Sequence, residues 1–150
     1  MLKRLLASEE VNLKQFFEIL NAYFYNFRVL HWKTKGENFD EYHELMNEYY
    51  DKLNDDIDLI AEIMLSNDIE VSKLSSIDEA LYIDVYKDYN ENEIVEETNK
   101  MFESILKYIN RLLNEDSIVV KNPGIKSELE NLYSYYDKEL NYKNERRRKI

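Results

Sequence analysis

The chain of 150 residues has no cysteine, a single proline and two glycines. Without cysteine there is no disulfide scaffold, no thiolate zinc site and no cysteine nucleophile. All-β sandwiches and barrels need a glycine- or proline-rich turn roughly every ten residues, which three breakers cannot supply. The same scarcity excludes collagen-like and Pro/Gly-rich disordered chains. No apolar run of about 18 residues occurs, so no membrane span is expected. Met1-Leu2-Lys3-Arg4-Leu5-Leu6 gives way to Ser8-Glu9-Glu10 and not to the long apolar stretch of a signal peptide, so a cytoplasmic protein is expected.

Enough apolar and aromatic side chains are present, 44% and 13%, to build one core. A single domain over residues 1–150 is expected, with a short flexible N-terminus (about 1–8) and a basic C-terminal tail (about 143–150). Acidic residues number 31 against 20 basic ones, for a net charge of −11. The excess lies in the middle third, where residues 51–100 carry 15 acidic and 4 basic side chains. Such a body is ill suited to bind nucleic acid, whose phosphates need cations. The tail, with Arg146, Arg147, Arg148 and Lys149, is either a solvated terminus or a small contact for a polyanion such as DNA.

Apolar residues recur at steps of three and four in four stretches. These are Leu13-Phe17-Leu20-Phe24-Phe27-His31, Met46-Tyr49-Leu53-Ile57-Ile60-Met64, Ile94-Thr98-Met101-Ile105-Tyr108-Leu112 and Ile125-Leu129-Leu132-Tyr136-Leu140. Each reads as one buried stripe on an otherwise charged helix. Gly36 separates the first two, and Asn122-Pro123-Gly124 precedes the last, with Asn122 as cap and Pro123 at the first helical position. The second and third stripes are joined by a long segment from Ser66 to Asn90. A connector of that length suits a crossover that runs back along a bundle. Within it, Ser76-Ile77-Asp78-Glu79 has the form of a capping box and predicts a short helix over about Ser76 to Tyr86. The expected architecture is all-α: a four-helix bundle with one long crossover carrying a short helix.

The two histidines, His31 and His43, flank the first turn, so antiparallel helices would bring their imidazoles together. Such a pair suits a transition metal; a hydrogen-bonded core histidine is the other reading of His31. The second helix also carries Asp58 and Glu62, one turn apart. His43, Asn47, Tyr50, Asn54, Asp58, Ala61 and Glu62 share a face beside the core stripe. His43 and Asp58 are, however, roughly 22 Å apart along a straight helix. A two-fold axis near Asp51 and Lys52 would set His43 of one chain between Asp58 and Glu62 of its mate, making two identical sites. Otherwise, the two carboxylates are part of the acidic run that begins at Asp51.

The stretch His31-Trp32-Lys33-Thr34-Lys35-Gly36-Glu37-Asn38-Phe39, then His43, then Asp58-Leu59-Ile60-Ala61-Glu62, resembles the signature of the Dps miniferritins. The resemblance is dense from about Asn21 to Met64. It implies a ferritin-like bundle that assembles into a hollow homododecamer, oxidises Fe(II) with hydrogen peroxide or oxygen, and stores ferric iron against oxidative damage. Carried over, His31 and His43 of one subunit with Asp58 and Glu62 of its mate are the expected ligands and catalytic residues of a ferroxidase. The iron site would be dinuclear, with zinc as a competitor. The chain departs from the pattern at Asn47, where members usually have an acidic residue, at Ile63 in place of an arginine, and around Asn141 or Tyr142 in place of a tryptophan. The resemblance further implies acidic pores near Glu115, Asp116 and Glu128; a solvated acidic loop is the other reading of these residues. Tyr49 and Tyr50 are expected to pack at the dimer seam; the other reading is that they carry radical equivalents near the site. The alternative reading is a DNA-compacting cage with a weakened iron centre.

Overall fold

The computed structural model describes residues 11–71 and 78–147. Four long helical segments carry the fold: α1 (Leu13–Lys33), α2 (Phe39–Ser66), α3 (Glu91–Glu115) and, after a short α4 (Ser117–Lys121), α5 (Pro123–Lys138). A π-helical turn, Glu139–Lys143, continues α5 into α6 (Asn144–Arg147). Each start has a local cause. The Asn12 side chain accepts from the Gln15 amide, Asn90 and Glu93 form a reciprocal capping box, and Asn122 accepts from the Gly124 and Ile125 amides ahead of Pro123.

Cross-helix contacts fix the directions. Tyr23 Oη donates to Ser104 Oγ and Asn26 Nδ2 to Met101 Sδ, while Phe16 stacks on Tyr108, so α1 and α3 run antiparallel. Tyr49 packs on Phe102 and Met46 meets Thr98, so α2 and α3 run parallel. Parallel neighbours of this length need a connection that returns the whole length of the bundle, which explains the long crossover. The architecture is the expected all-α bundle with a crossover.

The expected crossover helix over Ser76 to Tyr86 is replaced, within the described residues, by a single 3-10 turn at Glu79–Leu81. Ser76 and Ile77 lie outside the described residues, and it is Asp78 that accepts from the Ala80 amide. The connector's end is instead pinned in extended form beside the first turn. Lys35 N–H donates to the Tyr89 carbonyl and Tyr89 N–H to that of Lys33, each at 2.9 Å.

The third and fourth stripes are buried as expected. On α1 the buried face is Leu13, Phe16, Leu20, Tyr23, Phe27 and Leu30, leaving Phe17 and Phe24 half-buried at its border. Tyr49 is buried in the core of its own chain, against the expectation of a seam position, because it packs on Phe27 and Phe102. The segment 143–147 is also not a loose tail: Lys143 ends the π turn, and Asn144 is buried in the last helical turn.

Candidate metal centre

The turn between α1 and α2 is short, and Gly36 makes it possible with φ of 130°, a conformation that L side chains rarely adopt. It folds α2 back along α1 and brings the two histidines together. Their rings stack with centroids 3.6 Å apart and planes 20° apart. His31 Nδ1 lies 2.7 Å from the His43 carbonyl oxygen, and His43 Nδ1 lies 2.7 Å from that of His31. A carbonyl only accepts, so each Nδ1 carries a proton. In the neutral rings both Nε2 atoms then keep their lone pairs. Metal-binding histidines are usually oriented in this way, through a backbone carbonyl on the nitrogen that does not ligate. Phe39 stacks on His43 at 4.8 Å, and Tyr50 meets His31 edge-on at 5.5 Å. Both histidines are half-buried, held by packing with a route to solvent.

Asp58 and Glu62 are exposed on α2, and Asn47 is half-buried one turn beyond His43. Their positions on one helix keep Asp58 roughly 22 Å from His43. The structure thus joins His31 to His43 and leaves the carboxylates apart. Among the described residues of one chain, no group of three or more His, Asp or Glu side chains is arranged to hold a metal ion.

A profile of the ferritin-like domain matches residues 11–117. The chain belongs to the ferritin-like family. The fold is shared with two solved structures. Helicobacter cinaedi CAIP has 19% identity and a TM-score of 0.64, covering 85% of this chain and 96% of that one. The antigen TpF1 from Treponema pallidum has 22% identity and a TM-score of 0.64, covering 85% of this chain and 88% of its own. No curated protein sequence is significantly similar. None of the helices described is long and apolar enough to cross a membrane.

Around the centre of this ferritin-like chain, buried polar groups lock α2 to the C-terminal segment. Tyr49 Oη donates to Glu139 Oε1 at 2.8 Å and accepts from the Arg147 guanidinium at 2.9 Å. Glu139 is also paired with Lys143 at 2.8 Å, and Asn144 bonds Asn99 and Arg147. Burial, then the Glu139 charge, pushes the Tyr49 phenol well above its ordinary range. Two turns along α2, buried Asp56 accepts from Tyr136 and from Lys52, each at 2.5 Å. Desolvation raises the Asp56 carboxyl against the opposing pull of these two donors. Together these bonds fix the rotation of α2, and with it the outward direction of Asp58 and Glu62. The apolar stripes did not reveal this network; the signal available was Glu139 beside Leu140, a carboxylate at core spacing with Lys143 one turn on.

The residues expected to line pores have distinct local roles here. Asp116 is buried and caps α4 by accepting from the Ile118 and Val119 amides. Glu115 forms a two-pronged ion pair with Arg111, both contacts at 2.9 Å. Glu128 shares a surface groove with Glu62, Asn67 and Asn122.

Proposed function

We propose that the chain is a Dps-type miniferritin that oxidises Fe(II) at sites shared between two-fold related subunits and stores the ferric product in a hollow homo-oligomer. The reciprocal Nδ1-to-carbonyl bonds of His31 and His43 carry this reading, because they leave the Nε2 lone pairs of two stacked imidazoles uncommitted beside the turn of the α1–α2 hairpin. Asp58 and Glu62 of the partner subunit complete the donor set when two α2 helices pack antiparallel about Asp51 and Lys52. Imidazole and carboxylate together suit iron in both oxidation states, and imidazole also suits zinc, the expected competitor. Asn47 adds a neutral amide where a further carboxylate would strengthen a second metal position.

The reaction balances with peroxide as oxidant. Two Fe(II) ions give one electron each, the O–O bond breaks, and water supplies the remaining oxygen of the ferric oxyhydroxide while protons leave. No hydroxyl radical is released when both electrons reach the same peroxide.

The DNA-compacting alternative draws on Arg146, Arg147, Arg148 and Lys149. Arg147 is engaged inward with Tyr49 and Asn144, Arg146 lies 4.4 Å over the Tyr142 ring, and the last two lie outside the described residues. No observation favours that reading over iron oxidation.

Anaerobic Fe(II) titration followed by peroxide tests the proposal. Ferric absorbance should develop in the parent and fall at least tenfold in rate in His31→Ala and Asp58→Ala. Equal rates in the parent and both variants would overturn it.

A further inference from the structure

We infer that Arg28 is an intermolecular anchor of the two-fold contact, pairing with Asp55 of the partner subunit; this deepens the shared-site reading above and rests on it. Arg28 is exposed on α1, one turn before His31 and Trp32. Its guanidinium stands 5.0 Å from the Trp32 ring centroid and 5.9 Å from those of Phe24 and Tyr50. Three rings fix the cation in place, but no carboxylate pairs with it among the described residues. In a chain with 31 acidic residues, a pre-positioned cation without a counter-ion, next to a tryptophan that is 56% exposed, marks a surface built for an acidic partner.

A second copy of this chain supplies that partner. Asp55 is exposed on α2 and likewise lacks an ion pair among the described residues. The contacts Phe24–Tyr50 and His31–His43 set the register of the α1–α2 hairpin and place Arg28 level with Met46. Asp55 of the same chain is then about 13 Å further along α2, too far for an ion pair. The two-fold that sets His43 opposite Ile60 of the partner subunit sets the level of Met46 opposite Ile57 of the partner subunit. Asp55 and Asp58 of the partner subunit flank that level. Asp58 is committed to iron, which leaves Asp55 for Arg28. The two-fold makes the contact twice per dimer, beside each iron site.

Sedimentation equilibrium on the full chain over a range of protein concentrations tests this. Arg28→Glu and Asp55→Arg should each raise the protein concentration at which the assembly half-dissociates at least about tenfold, because like charges then face each other twice per two-fold contact. The combined R28E/D55R variant should return to within about threefold of the parent, and the differences should shrink in about 1 M salt. Association unchanged in Arg28→Glu, or no recovery in R28E/D55R, overturns the Arg28–Asp55 pairing while leaving the two-fold standing. A parent that does not self-associate at any concentration overturns the two-fold reading and this inference together. Far-UV circular dichroism on each variant verifies that these exposed changes leave the helices intact.

Discussion

His31 and His43 hold each other in place: each Nδ1 bonds the other's backbone carbonyl at 2.7 Å while the rings stack at 3.6 Å. The geometry requires the Nδ1-protonated tautomer in both neutral rings. Long-range 15N NMR of the metal-free protein should show that tautomer twice. A signal from the Nε2-protonated form in either ring would contradict it. Zinc, which needs an unprotonated ring nitrogen, should shift the Nε2 resonances and leave Nδ1 protonated.

Gly36 sets the hairpin that creates this pair. Its φ of 130° lies where a Cβ is strained, although no atom stands within 4 Å of the position a Cβ would take. The cost of Gly36→Ala is therefore backbone strain alone, on the order of 1–3 kcal/mol. Thermal unfolding should register that loss. Loosening of the turn should also weaken zinc binding, because the two imidazoles depend on it for their approach.

The Tyr49–Glu139–Arg147 network should behave as one unit. Tyr49→Phe removes a donor to Glu139 and an acceptor for Arg147, and should cost about 1–3 kcal/mol. Glu139→Gln leaves Lys143 and Arg147 short of a negative partner and should cost a similar amount. Because the residues share partners, the double variant should cost clearly less than the two singles added together. Urea denaturation of the three variants measures this; simple additivity would show that the bonds act independently.

Alkaline pH should unfold the protein cooperatively. Burial pushes the Tyr23 phenol up to about 12, and Tyr49, Tyr108, Tyr135 and Tyr136 are raised as well, chiefly by burial. A phenol raised in the folded state contributes stability that is present in full below its unfolded value near 10, and this is lost as pH climbs through the folded value. Of thirteen tyrosines, these five should therefore ionise only as the fold is lost, giving a two-stage absorbance titration near 295 nm. Tyr23→Phe should reduce the loss of stability between pH 10 and 12 by about 2–3 kcal/mol.

The bundle was legible in the sequence because burying one face of a helix imposes steps of three and four residues. Ile94 to Leu112 and Ile125 to Leu140 show this without exception. The first stripe was read slightly rotated, because Phe17 and Phe24 are large and apolar yet sit at the border, while Phe16 and Tyr23 point inward. The crossover was legible as a length, and within the described residues its short helix is a single 3-10 turn, Glu79–Leu81, started by Asp78 accepting from the Ala80 amide. The π turn at Glu139 was not legible at all. It places Asn144 and Arg147 on residues from 45 to 98 positions away in sequence, and no local propensity encodes such partners.

The sequence by itself determined which residues could share a helix face: the core stripes, the Asp58–Glu62 pair and a histidine on each side of Gly36. Helix periodicity depends only on the local backbone, so spacing suffices to establish it. Only the tertiary structure decided that the two imidazoles stack, that their Nδ1 protons are spent on carbonyls, and that Tyr49 and Arg147 face the core. These are contacts across the turn and between distant elements, and they follow from how the helices pack.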